Sequence, residues 1–299
     1  MYPSHNLNFP LLMQSCLKGG VSRSRSMNIE AIIQKAGNIA LEMSSEISIE
    51  EKAVGDLVTR ADREVERILV EYLASHFPND GIIGEEGSQK SGTSGRIWAI
   101  DPIDGTADYV RGLPTWSVSV GLIESDRYLE GYVCVPAQNK FYRASLGQGA
   151  FCNGKRIHTR EGSFSSGEFI AMNAGTHLKL TQSLDTRICN APSALGPCLV
   201  ASGTVLGAVS LPAYVWDIAG AYAVASEAGA QFRYLDGSNF SLAQIQNRKR
   251  MPHALLCGSE AFIAYACSRI SERNSNPVSP APPLCNKESK GTASLATEK

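Results

Sequence analysis

Three segments carry acidic residues where chemistry could be done. Gly84-Glu85-Glu86-Gly87 follows the apolar pair Ile82-Ile83. Asp101-Pro102-Ile103-Asp104-Gly105-Thr106 follows Ile97-Trp98-Ala99-Ile100. Trp216-Asp217-Ile218-Ala219-Gly220 opens a helical pattern. Each puts carboxylates at the end of an apolar run or the start of a helix, where they lose hydration and repel their neighbours. Such groups are tolerated when a cation holds them together. The candidate ligands are all oxygens, with no His or Cys cluster beside them, which selects a hard ion such as Mg2+ over zinc. Pro102 stiffens the turn, so Asp101 and Asp104 can converge on one ion or bridge two, with the Ile103 carbonyl as a neutral ligand. Gly105 permits close backbone approach and offers an N–H to an anionic oxygen. Thr106 adds a hydroxyl. Two Mg2+ ions held this way can grip a phosphate, activate water and neutralise a leaving oxygen. Phosphoryl transfer asks for little more than such positioning and charge neutralisation.

Taken singly, these residues have blander readings. Asp62 reads as a first-turn capping acid and Asp217 as a helix N-cap. Glu86 reads as a solvated or ion-paired acid, and Asp101–Thr106 as an Asx-type turn. The three segments in this order and context argue for one site.

The elements that must position them alternate along the chain. Ile29, Ile32, Ile33, Ala36, Ile39, Ala40 and Met43 fall at helical spacing, as do Val65, Ile68, Leu69, Tyr72, Leu73 and Phe77. Thr59-x-x-Asp62 starts the second helix as a capping-box-like pair, and Pro78-Asn79-Asp80-Gly81 stops it. Strands are expected at 82–83, 97–100, 116–123, 128–135 and 140–144, several joined by short turns that favour antiparallel pairing. Further helices are expected near 193–202, 216–228 and 259–270. Further strands are expected near 168–173, 205–211, 230–234 and 253–257. Helix pairs and largely antiparallel strands in succession predict a layered α+β domain.

Composition sets outer limits. Hydrophobic residues make up 43% and charged residues 19%, as in ordinary globular proteins. The net charge of −1 excludes a wholesale basic surface for nucleic acid. No uninterrupted apolar stretch is long enough to span a membrane. The eight cysteines form no Cys-x-x-Cys pair, which suits a reducing compartment and a cytoplasmic location. Residues 1–26 contain three basic residues and no acid, and residues 271–299 carry a net +1, so residues 27–270 hold −5. The first 26 residues read as a disordered extension or an organellar targeting segment. The last 29, rich in Ser, Pro and Lys, read as a disordered tail. The catalytic body is therefore 27–270.

Gly84-Glu85-Glu86, Trp98-Ala99-Ile100-Asp101-Pro102-Ile103-Asp104-Gly105-Thr106 and Trp216-Asp217-Ile218-Ala219-Gly220 together resemble the inositol monophosphatase family. Asp56–Asp62 is similar to the family's upstream motif, and Gly149–Gly154 to its mid-chain hairpin. The resemblance covers about residues 27–270. It implies a layered αβαβα sugar-phosphatase fold, Mg2+-dependent hydrolysis of a small phosphomonoester, lithium sensitivity and a homodimer. It also implies roles. Glu85, Asp101 and the Ile103 carbonyl would hold a first ion, and Asp101, Asp104 and Asp217 a second. Glu85 would help a weaker third. Thr106, paired with Asp62, would orient and deprotonate the attacking water. Gly105, Thr106 and Asp217 would contact the substrate.

The departures concern that substrate. Inositol-specific members carry a glutamate six residues before the Trp-Asp pair, where this chain has Ser210. Their Gly-Thr-Ala segment is replaced by Ala191-Pro192-Ser193. Inositol monophosphate or a similar polyol phosphate is the expected substrate. The alternatives are a 3′(2′),5′-bisphosphate nucleotide, histidinol phosphate or fructose 1,6-bisphosphate. A nucleotide pocket needs an aromatic or arginine platform for the base, and none is apparent near Trp216. A silent regulatory protein is disfavoured by retention of every expected ligand. An EF-hand is disfavoured by the acid spacing.

Overall fold

The computed structural model describes residues 23–45, 49–53, 56–173 and 175–272. Most of the two expected extensions, residues 1–22 and 273–299, therefore lies outside the described residues. Helix α1 (Arg23–Met43) begins four residues before the Met27 boundary. The short strand Ile270–Glu272 pairs with Leu180–Gln182, so the body also runs slightly past residue 270. The other helices are α2 (Arg60–His76), α3 (Thr106–Val110), α4 (Thr176–Lys179), α5 (Leu195–Ala201), α6 (Val215–Glu227) and α7 (Glu260–Arg269).

An eight-stranded sheet forms the larger layer. Its spatial order is Lys155–Ile157, Gly149–Cys152, Lys140–Ser145, Arg127–Val135, Ser117–Glu124, Arg96–Asp104, Gly81–Gly84 and Gln89–Lys90. The consecutive hairpins are antiparallel, as the short turns predicted. Gly81–Gly84 instead runs parallel to Arg96–Asp104. The smaller sheet has five strands, in the order Arg187–Asn190, Phe169–Met172, Gly207–Ser210, Leu255–Gly258 and Gln231–Tyr234. Phe169–Met172 is parallel to both its neighbours there.

Five layers result. Ile33, Ala36 and Ala40 of α1 and Val65, Leu69 and Leu73 of α2 pack on one face of the large sheet, against Trp98, Ile100, Val118 and Val120. On the other face, Ile218 and Ala219 of α6 meet Ala99 and Ile123. Leu195, Cys198 and Ala201 of α5 join α6 to Ala171 and Ala208 of the small sheet. Phe262, Ile263 and Ala266 of α7 cover that sheet's outer face with Ile170, Val209 and Leu256. This is the expected αβαβα order. The alternation of strand Ser117–Glu124 makes it possible. Val118, Val120 and Leu122 pack in the core with α1 and α2.

On its other face, small residues let α6 approach the sheet closely. A Cβ added at Gly121 would lie 2.5 Å from that of Ala219, and one at Gly131 would lie 2.3 Å from the Gly220 carbonyl. That contact fixes where the N-terminal turn of α6, and so Asp217, meets the sheet.

Candidate active site

The acids converge because of two backbone features. The parallel register sets Gly84 beside Ile100, and the Glu85 N–H donates to the Ile100 carbonyl at 3.1 Å. Glu85 and Asp101 therefore emerge side by side at one sheet end. The second feature is a register shift between Asp101 and Asp104. Asp101 faces Ser119 and Asp104 faces Ser117, residues of one side of the neighbouring strand. Three residues apart on a regular strand, the two aspartates would point to opposite faces; the bulge returns them to one.

Carboxylate oxygens of Glu85, Asp101 and Asp217 lie within 4.8 Å of one another. Asp101 is 1% exposed, and its Oδ1 is buried with no hydrogen-bond partner. Burial, then the charges of Glu85, Asp104 and Asp217, hold its carboxyl well above the usual carboxylate range. An oxygen buried without a donor and ringed by like charges fits a hard cation. Asp104 stands beside this trio with its oxygens engaged elsewhere. It accepts from the Ser193 N–H at 3.1 Å, the Ala194 N–H at 2.8 Å and Ser117 Oγ at 3.4 Å. Burial still pushes its carboxyl up to about 7, with Asp217 adding and the Ala194 and Ser193 donors opposing. Asp217 is the third residue of α6, and its Oδ2 accepts the Tyr214 N–H at 2.6 Å. It is thus a capping acid of the helix first turn as well as a member of the cluster, though not the N-cap itself.

Asp62 is fully buried, with one oxygen turned to its own helix start and the other towards Thr106. Its Oδ2 takes the Thr59 N–H at 2.7 Å and the Thr59 hydroxyl at 2.6 Å, closing the capping box of α2. Its Oδ1 lies 3.5 Å from Thr106 Oγ. Thr106 Oγ also donates to the Ile103 carbonyl at 3.1 Å. Gly105 has φ +87, and a Cβ there would meet the Pro192 ring at 2.6 Å, so glycine is required on both counts. That contact seats Ala191-Pro192-Ser193 against the central motif.

A cavity of about 590 Å3 opens over this floor, lined by Glu85, Ser193, Tyr214, Asp217, Arg248 and Arg250 among others. Ser210 is buried at the end of its strand, just before the Leu211–Tyr214 wall. Aromatic and arginine side chains do stand beside the site, against expectation, but packed on one another: Tyr214 stacks on the buried Trp216 with centroids 4.8 Å apart, and the Arg248 guanidinium lies 5.1 Å from the Trp216 ring centre. Glu66 is a further residue that sequence reasoning passed over. It is buried, and its carboxylate accepts the N–H groups of Glu86 at 2.8 Å and Ser88 at 2.9 Å, pinning the turn that carries Glu85. Its signal was an acid one turn after Asp62 on the apolar face of α2.

The sequence signature of the inositol monophosphatase family matches residues 22–267. The chain belongs to that family. It is 33% identical to a fructose-1,6-bisphosphatase/inositol-1-monophosphatase of Thermotoga maritima over 215 residues, covering 69% of this chain and 83% of that one. It is 30% identical to inositol monophosphatase 1 of Bos taurus over 228 residues, 70% of this chain and 82% of the bovine one. The solved structure of a Thermotoga maritima IMPase superposes with a TM-score of 0.72 at 27% identity, over 82% of this chain and 96% of that chain. As a member of the inositol monophosphatase family, this protein is a phosphomonoester hydrolase. No helix among the described residues is long and apolar enough to cross a membrane.

Proposed function

We propose that this phosphatase is Mg2+-dependent and acts on a small phosphorylated metabolite, a polyol or sugar phosphate. Two or three ions would be held by Glu85, Asp101, Asp104, Asp217 and the Ile103 carbonyl. The buried, unpartnered oxygen of Asp101 beside two further carboxylates carries this reading. Bound Mg2+ supplies Lewis acidity and neutralises phosphate charge. The chain's own residues do the rest. Thr106 is anchored on the Ile103 carbonyl and within reach of Asp62. Its hydroxyl turns its single proton from the Ile103 carbonyl to Asp62 and accepts one from the attacking water as it passes that proton on. Thr59 holds the other Asp62 oxygen, so the base stays aimed while it takes the proton. The backbone of Gly105 and Thr106, with Asp217, positions the substrate. The family resemblance supports a homodimer, and the unpaired described cysteines favour the reducing conditions of the cytoplasm.

Phosphate release from a panel of inositol, sugar, nucleotide and histidinol phosphates, with Mg2+ and with added Li+, tests the proposal. Mg2+-dependent release suppressed by Li+ is expected; no release from any substrate overturns it. A second reading within the same chemistry, a substrate with two phosphates, is favoured by the basic residues of the cavity.

A further inference from the structure

Arg248 and Arg250 share the cavity with Glu85 and Asp217, yet neither pairs with a carboxylate among the described residues. Arg248 Nη2 donates to the Gly84 carbonyl at 2.7 Å, one residue before Glu85, and its plane covers Trp216, one residue before Asp217. Arg250 Nε donates to the Pro212 carbonyl at 3.0 Å, which leaves both its terminal nitrogens without a partner among the described residues. The loop is shaped to present them: Asn247 and Arg248 are both left-handed, at φ +60, a conformation Arg adopts rarely. The carboxylates lining the cavity, among the described residues, are Glu85 and Asp217, both assigned to the cations. Two cations balance the four carboxylates below, so the guanidiniums are surplus positive charge. Arg suits a phosphate, which it grips with a fork of N–H donors. A cavity of about 590 Å3 admits a whole small metabolite rather than one phosphate group.

We infer that Arg248 and Arg250 form a specificity subsite for a second phosphate on the substrate, remote from the ester that is cleaved. This rests on the proposed phosphatase reading and narrows it. Sugar bisphosphates and nucleoside bisphosphates share the required chemistry. A substrate bearing a cationic amine, such as histidinol phosphate, is disfavoured by the same charges.

Matched pairs test the inference. Fructose 1,6-bisphosphate is compared with fructose 1-phosphate, and adenosine 3′,5′-bisphosphate with adenosine 3′-monophosphate, by kcat/KM with Mg2+. The expected result is a preference of about tenfold or more for the doubly phosphorylated member of at least one pair. Arg250→Gln should collapse that ratio towards one, Arg250→Lys should retain part of it, and Lys249→Gln, a neighbouring charge outside the cavity lining, should leave it unchanged. A wild-type ratio near one in both pairs, or a ratio that Arg250→Gln does not move, overturns the inference. The second result is also what arginines serving the cleaved phosphate would give. Calorimetry decides independently of turnover. Fructose 6-phosphate or adenosine 5′-monophosphate, which keep only the second phosphate, should bind about tenfold more weakly to Arg250→Gln. Equal binding, or none to the wild type, overturns the subsite. Absence of hydrolysis from every compound with this binding difference intact would overturn the phosphatase proposal alone.

Discussion

Replacing Asp101 by Asn isolates the electrostatics of the site. Three carboxyl oxygens meet within 4.8 Å, and each fully charged pair at that separation costs about 3 kcal/mol at an effective dielectric constant of about 20. Without a cation the cluster avoids this cost by keeping protons. With one, the repulsion becomes attraction. At a hundredfold excess of Mg2+ over its Kd the folded state gains about 2.7 kcal/mol. For a chain of this size that is a Tm rise of about 5–11 °C. Asp101→Asn keeps the shape, removes a ligand and relieves two repulsive contacts. Its Mg2+-induced rise should fall below about 2 °C. In EDTA near neutral pH or above, it should melt no lower than the wild type. The wild-type rise should also depend on pH. Asp104 holds its proton up to about 7 and Asp101 above the ordinary range, so a binding cation must displace those protons. The rise is therefore small near about pH 5 and grows as pH passes about 7, where Asp104 gives up its proton. Differential scanning fluorimetry across pH, with and without Mg2+, measures all of this. An Asp101→Asn variant that keeps the full Mg2+ rise, or that melts several degrees lower in EDTA, would refute the reasoning.

Thr106→Val should cut kcat by about a hundredfold or more while leaving the Mg2+-induced Tm rise intact, because it removes the proton relay and no charged ligand. A variant with near-normal kcat would remove Thr106 from the mechanism. Glu66→Gln should weaken Mg2+ binding, seen as a higher half-saturating concentration in calorimetry, because it loosens the turn that carries Glu85. Unchanged affinity would make Glu66 purely structural. Gly220→Ala places a Cβ 2.8 Å from Ser119 Oγ and the Tyr132 carbonyl. It should lower stability by about 1–3 kcal/mol in chemical denaturation, and a neutral result would mean that α6 can shift freely.

Much of this architecture was legible along the chain. The α2 start appeared in Thr59 and Asp62, and the antiparallel hairpins in the alternation of 116–123 and the short turns after it. Pairing across the chain was not. The parallel alignment of Gly84 with Ile100 is a long-range register that no local pattern encodes, yet it brings Glu85 to Asp101. The bulge that turns Asp101 and Asp104 to one face depends on how Pro102 and Ile103 meet Ser117–Ser119. The donors to Asp104 come from Ser193 and Ala194, about ninety residues on. Asp62 and Asp217 each cap a helix with one oxygen, which leaves the second carboxylate oxygen of each available to the proposed site. Arg248 and Arg250 sit in a loop far along the chain from the acidic segments, and only folding brings Arg248 over Trp216 and both arginines to the cavity.

The central claim is that carboxylates from three segments form one metal-dependent phosphatase centre. The most direct test is phosphate release by protein stripped with EDTA, dialysed and titrated with Mg2+, for the wild type and Asp104→Asn. The account predicts no release before Mg2+, full recovery for the wild type, and recovery at least about a hundredfold lower for Asp104→Asn with the fold intact. Full turnover in EDTA, or Mg2+ recovery equal in both proteins, would contradict it.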